Sequence, residues 1–583
     1  MRKLLLAGSI LAFAVPAHAD ANGDLVTLVN DVWAASLKEQ PVYASALGVN
    51  DYASELGDYT LAAQDRRAAD AAKFLTRLNA IPSDSLNAAS KVEAGILRRA
   101  LNSTIEGNSF GQRVINFTTY SSWHQQLAGM AQNLPFRTKA DFESYNARLA
   151  QYARVNDENI AVANVAIKGK YTQPCVTLKG FEGTISGLIT TDVNTSRFYE
   201  PYAAKRPAGI SEADFASLAK AAETTIRTVI HPALNKQLAW YTASYKPACA
   251  TAPGVSAQPG GDKYYAFRVR EETTTSLTAE QIHQIGLNEV ARIRAEMIEV
   301  ATKAGYPSRE AFIQHLRTDP QYYAKTPEEL MEKVARVTKI IDGKMPTLFG
   351  RLPRLPYGIK EIPAETAEGT TTAYYNQGSP EIGISGTYFV NTSKLNQRPF
   401  WEIPALSVHE AVPGHHNQIA LQQELPLSDF RKYGAFFTAF TEGWGLYSER
   451  LGIEMGLYDT PAKDMGRLSY EMWRACRLVV DTGIHAKGWS KQQAIDFMTE
   501  NSALSAANIE AEVNRYISWP GQALAYKLGE LKIRELRTMA TKELGPKFNL
   551  AAFHDAVLGQ GSVPLDVLEQ QIKDWVAAEK AKG

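Results

Sequence analysis

Helix-start signals recur along almost the whole chain and constrain it to a mainly α-helical fold. Thr278-Ala279-Glu280-Gln281 has the form of a capping box, in which the Thr and Gln side chains satisfy each other's backbone N–H groups. Leu277 and Ile282 flank it as a hydrophobic staple. Ile282, Ile285, Val290, Ile293, Met297 and Val300 then follow near helical period until Gly305 and Pro307 end the run. Thr326-Pro327-Glu328-Glu329 repeats the signal with Pro at the first helical position, and Ser490-Lys491-Gln492-Gln493 repeats it again. Ala- and Leu-rich stretches around 61–79 and 139–168 extend the helical reading to the N-terminal region. One strand signal interrupts it: Glu381 to Val390 partly alternates and is rich in β-branched and aromatic residues. Its glycines suggest close backbone approach or a bulge, which fits a hairpin, either packed structurally or bordering a cleft.

At about 150 residues per domain, 583 residues would give three or four domains, but no short-period repeat divides the chain. The Pro- and Gly-rich segment from Tyr245 to Lys263 is the best boundary. It separates an N-terminal helical half, 20–245, from a C-terminal half, 264–583, that carries the chemistry, with 246–263 as linker. The expected architecture is two helical halves with a deep cleft between them and a small β-hairpin or sheet beside the site. The 62 Lys and Arg balance 62 Asp and Glu, so there is no basic excess to neutralise nucleic-acid phosphates.

Residues 1–19 have the three parts of a secretory leader: Arg2 and Lys3, an apolar run from Leu4 to Val15, and the cleavage motif Ala17-His18-Ala19. No Cys follows it to accept a lipid, and no later segment resembles a transmembrane helix. An exported, periplasmic or secreted protein cleaved near Ala19 is expected. Export permits disulfides. Of three cysteines, Cys175 and Cys249 lie beside prolines in loop-like sequence and are candidates to pair, whereas Cys476 lies in a helical pattern as a buried free thiol.

Only ten histidines are present, and three fall in Ser407-Val408-His409-Glu410-Ala411-Val412-Pro413-Gly414-His415-His416. The zinc-peptidase motif H-E-x-x-H places two histidines one helical turn apart around a Glu general base. Here the fourth position after His409 is Pro413, so the simple motif is absent. On a regular helix His415 would point about 240° away from His409, and His416, though nearly in phase, would lie about 10.5 Å further along the axis. Pro413 and Gly414 provide for a distortion, a local bulge, that would bring His415 to the ligand position. His416 then becomes a substrate contact or a supporting group. A catalytic zinc site needs a third protein ligand and an open position. Glu442 and Glu449 sit at helical spacing in the apolar stretch Phe440 to Glu449, where an unpartnered carboxylate would be costly. Glu442 is taken as the third ligand and Glu449 as the carboxylate that orients a histidine.

The block H-E-A-V-P-G-H-H, followed by T-E-G-W-G-L-Y-S-E, resembles the bacterial family catalogued as domain of unknown function 885. The segment Arg515 to Leu524, continuing through Tyr526 and Lys527, shares the resemblance. That family is similar to helical gluzincin peptidases of the thimet oligopeptidase and carboxypeptidase Taq groups. The resemblance implies a mainly helical fold around a deep channel, with zinc on His409, His415 and Glu442 and Glu410 as base. The Pro-Gly insertion departs from the peptidase motif.

Such a site would hydrolyse peptide bonds of short peptides with metal-activated water, Glu410 accepting the proton and returning it to the leaving amine. A second donor for the oxyanion is sought in Tyr516, His485 and Arg477, with Tyr374 and Tyr375 as substrate contacts. Two other classes compete. A non-catalytic peptide-binding protein would hold zinc structurally or not at all. A serine hydrolase would use Ser109 in Gly107-Asn108-Ser109-Phe110-Gly111, although a polar, helix-like stretch replaces the strand such an elbow follows.

Overall fold

The computed structural model describes residues 20–119, 121–368 and 370–582. The leader expected over 1–19 lies outside the described residues. Helix accounts for 69% and strand for 4%, so the mainly α reading holds. Near the N-terminus, α1 (Ala21–Glu39), α2 (Leu61–Ala80) and α3 (Ala88–Asn108) run in succession. The 139–168 stretch forms two helices, Lys139–Ala150 and Tyr152–Gly169, divided at Gln151. The capping box at Thr278 forms with both reciprocal bonds and opens α4 (Ala279–Lys303). Ile282 and the flanking Leu277 pack in one apolar cluster, as a staple requires.

A three-stranded mixed sheet follows, formed by β1 (Tyr357–Glu361), β2 (Ala373–Asn376) and β3 (Gly386–Val390) in the order β1-β3-β2. β1 runs parallel to β3 and β2 antiparallel to it, with Tyr375 opposite Tyr388 and Tyr374 opposite Phe389. The expected strand over 381–390 is therefore shorter, because Gly383 takes a positive φ of 65° and turns the chain before β3. Gly386 does permit close approach: a Cβ there would lie 2.7 Å from His416 Nδ1.

The helices around the histidine motif are α5 (Ile403–Glu410), α6 (His415–Glu424), α7 (Thr438–Leu451), α8 (Pro461–Lys487) and α9 (Ala525–Leu544). α8 packs along α4, and α7 along α9. The second pair comes close at two glycines, since a Cβ on Gly443 would lie 2.5 Å from Gly529 Cα.

Residues on both sides of 245 share one core: Leu25, Leu28, Leu97 and Leu101 cluster with Phe440, Trp444, Ile533 and Leu536. A second core is built within 56–245, around Phe117, Tyr145, Tyr152 and Phe198. The segment expected as a loose linker is tied down. Cys249 is bonded to Cys175, Val255 is buried with its N–H donated to His485 Nδ1, and a helix already begins at Gly261. Cys476 is the buried free thiol expected, and burial pushes its pKa up to about 12. Among the described residues, no helix is long and apolar enough to cross a membrane.

Candidate metal centre

Pro413 has no N–H to continue the helix that carries His409, and the chain breaks rather than bulges. α5 stops at Glu410, Ala411 leaves helical geometry at φ −94°, ψ −113°, and α6 starts afresh at His415. The expected bulge within one helix is thus replaced by two helices. The turn is closed by the Gly414 N–H donated to the Val408 carbonyl at 2.9 Å and the His416 N–H to that of Ala411 at 3.0 Å. Any side chain at 414 would overlap the His409 carbonyl oxygen, so glycine is required for the second helix to fold back this far. The outcome is the convergence sought from the sequence: the His409 and His415 rings are 4.6 Å apart and nearly perpendicular, at 87°.

Glu442 reaches this pair from α7. Its Oε2 lies 3.5 Å from His409 Nε2 and 3.3 Å from His415 Nε2. Gly445, one turn on, leaves room for the His409 ring, because a Cβ there would come within 2.7 Å of Cε1. The three donor atoms lie within 4.8 Å of one another and form a group that could hold a metal ion. The fit is specific in one respect. Bonds of about 2.1 Å to a tetrahedral ion place its ligand atoms about 3.4 Å apart, which matches both carboxylate–imidazole distances. Glu442 Oε2 and His415 Nδ1 are also buried without a hydrogen-bond partner, an arrangement that costs free energy unless something else satisfies the carboxylate oxygen. Burial would raise the Glu442 pKa, but the adjacent His415 and His409 hold it well below the usual carboxylate range. Burial would likewise lower His409; Glu442, Glu449 and the charge of Glu410 outweigh it and push its pKa up to about 9.

Behind the three residues, Glu449 lies against His409, where the orienting carboxylate is expected. Its Oε1 accepts from His409 Nδ1 at 2.8 Å and pairs with Arg474 at 2.9 Å. Arg474 is itself held over the Trp473 ring at 4.3 Å. Glu410, the last residue of α5, is 8% exposed, and its charge acts on His409 and on the Tyr388 hydroxyl.

The other candidates are placed differently. His416 turns away from the pair: its Nε2 lies 2.9 Å from the Leu355 carbonyl and its Nδ1 3.0 Å from the Tyr375 hydroxyl. It joins α6 to the sheet, and Tyr375 shares that role. Tyr374, on the opposite face of β2, stacks on Phe389. His485 lies between the Val255 N–H and the Tyr516 carbonyl, and burial lowers its pKa to about 4, so it is a neutral structural group. The Tyr516 hydroxyl accepts from Trp473 Nε1 and Arg477 Nε, while Arg477 also pairs with Glu512 at 2.7 Å. Arg477 also lies over the Tyr526 ring at 4.1 Å. Ser109 caps a helix C-terminus, its hydroxyl donated to the Glu106 carbonyl, with no strand before it.

The residue that does lie against the trio is Tyr526, whose ring stacks over His409 at 6.5 Å and 16°. Its hydroxyl accepts from Arg515 at 2.9 Å. These two side chains meet because the chain reverses at Pro520-Gly521, where Gly521 takes a φ of 83°. The only sequence signal for the pair is its position in the segment that continues from Arg515.

The expected deep cleft around the trio is not shown. A cavity of about 1320 Å³ is lined by Tyr43, Arg67, Phe74, Leu101, Gln377 and Phe436 among others, but not by His409, Glu410, His415 or Glu442. The motif side chains are buried because α5, α6 and α7 close around them.

The chain matches the family described as "Bacterial protein of unknown function (DUF885)" over residues 41–572, and it belongs to that family. Its fold is similar to that of a "putative lipoprotein" from Colwellia psychrerythraea, 28% identical, with a TM-score of 0.88 over 96% of this chain and 100% of that one. A "putative lipoprotein of unknown function" from Shewanella oneidensis shares the fold at 19% identity and a TM-score of 0.71, over 94% of this chain and 99% of that one. No curated protein matches the chain.

Proposed function

We propose that this protein is an exported zinc-dependent peptidase acting on short peptides. The observation that carries the reading is the spacing of Glu442 Oε2 from His409 Nε2 and His415 Nε2, 3.5 and 3.3 Å, which suits a tetrahedral ion with one position left open. A structural zinc site would usually fill all four positions with Cys or His, and the three ligand candidates include no Cys. Zinc in that position supplies Lewis acidity toward a water molecule and a substrate carbonyl. Glu410 accepts the proton of the attacking water and returns it to the departing amine. Glu449 keeps the His409 proton on Nδ1, so that Nε2 presents its lone pair. Tyr526, backed by Arg515, takes the oxyanion-donor role sought among Tyr516, His485 and Arg477.

Burial of the motif, with His409 2% and His415 8% exposed, disfavours folded proteins as substrates. Export is supported by the leader sequence and by the Cys175–Cys249 bond, which belongs to an oxidising compartment. The test is incubation of the zinc-loaded protein with a mixed peptide library, products being read by mass spectrometry. New peptide termini are expected. Peptide retention without new termini would instead assign a binding protein.

A further inference from the structure

On the side of α7 turned away from the metal ligands lies a groove of about 560 Å³, lined by Tyr447, Arg450, Glu454, Arg534, Arg537 and Lys542, among others. Arg534, Arg537 and Thr541 recur at helical spacing on α9, which places them on one face, and Lys542 extends it. Four cations therefore meet one lining carboxylate. Glu454 is engaged by Arg537 at 2.7 Å, and Arg534 is turned to Glu530 at 3.2 Å. Arg450 and Lys542 are left over. Among the described residues Arg450 has a single charge partner, Glu471, at 3.9 Å, beyond hydrogen-bond range. Glu471 is in turn occupied by fully buried Lys527 at 2.9 Å. Lys542 has no carboxylate partner among the described residues.

The Arg450 guanidinium, 33% exposed, makes no side-chain hydrogen bond among the described residues, and an oxygen of a ligand in the groove would supply an acceptor to its exposed edge. Two cations without a hydrogen-bonded carboxylate select a dianion over a single carboxylate, and guanidinium forks match a tetrahedral oxyanion. We propose that this groove binds a phosphate-type dianion: inorganic phosphate, or the terminal phosphate of a small monoester, which carries close to two charges at neutral pH. The site stands apart from the metal centre, and the proposal does not rest on the peptidase reading.

The test is calorimetric titration of the full-length mature protein with inorganic phosphate at constant ionic strength, with acetate as the monoanion control. Saturable binding is expected at one phosphate per chain, at least tenfold tighter than acetate. Arg450→Ala and Lys542→Ala should each weaken it about tenfold, the second without disturbing a buried contact. Absence of saturable phosphate binding overturns the proposal. So does binding that survives both substitutions unchanged, because the phosphate would then lie elsewhere, including at the metal centre.

Discussion

His409 Nδ1 lies 2.8 Å from Glu449 Oε1, and that contact occupies one ring nitrogen and leaves Nε2 as the one that faces the ligand trio. A carboxylate only accepts, so one ring proton sits on Nδ1; the second, on Nε2 facing Glu442 at 3.5 Å, is the one a metal ion would displace. Arg474 fixes the carboxylate from behind at 2.9 Å.

Glu449→Gln removes the charge that holds both partners while keeping an acceptor of the same size. Zinc affinity, measured by competition with a chromophoric chelator, should fall roughly 10–100-fold while the far-ultraviolet circular dichroism is retained. Unchanged affinity would show that Glu449 serves packing alone.

Gly445→Ala tests the packing of the ligand ring. The new methyl would stand 2.7 Å from His409 Cε1, against the side of the ring that α7 leaves open. Overpacking of this kind costs about 1–3 kcal/mol, and bound zinc per chain should fall well below that of the parent protein. Full zinc occupancy with an unshifted melting temperature would contradict the packing of the His409 ring against α7.

Some of this was legible in the sequence, and the misses have physical causes. His409, His415 and Glu442, a group that could hold a metal ion, and Glu449 beside it could be picked out because few residue types ligate metals and buried carboxylates need partners. Pro413-Gly414 announced a departure from helix but not its form, since the same pair permits a bulge or a break. Tyr526 could not be found, because its contact with His409 depends on the chain reversal at Gly521. Tyr516 and His485 lie in or against the same segment, but a sequence does not tell a side chain facing a ligand from one satisfying buried backbone. β1 escaped notice as the parallel partner of a strand well downstream. The 246–263 segment looked loose by composition, while the Val255–His485 bond that anchors it joins residues far apart in the chain.

Asp481 gives the fold a pH dependence. It is fully buried, accepts from Tyr265 at 2.6 Å and from the Gly521 N–H at 3.2 Å, and burial pushes its pKa up to about 7. In the unfolded chain it ionises near the ordinary value of about 3.9. Between these values the folded protein keeps a proton that the unfolded chain gives up, so stability falls as pH rises from about 4 to 7 and levels off above. The loss is at most about 4 kcal/mol at about 1.4 kcal/mol per unit. Denaturant midpoints across that range should show a shallower slope for Asp481→Asn; parallel slopes would refute the assignment.

The Cys175–Cys249 bond closes a loop with a sequence separation of 74. Protein denatured without reductant should titrate a single thiol, Cys476. The double variant Cys175→Ser, Cys249→Ser should lose about 2–4 kcal/mol of stability in urea unfolding. Three titratable thiols in the parent would remove this support for an oxidising compartment.

The central claim, a metal-assisted peptidase with Glu410 as its base, is tested most directly by comparing the protein with Glu410→Gln. Each is purified without chelator, assayed for zinc by mass spectrometry and incubated with the same peptide library. The account predicts about one zinc per chain in both, as a three-ligand site should hold, with cleavage lost by at least about a hundredfold in the variant, the scale of a general base. Protein that holds no zinc, or a variant that cleaves as fast as its parent, would contradict it.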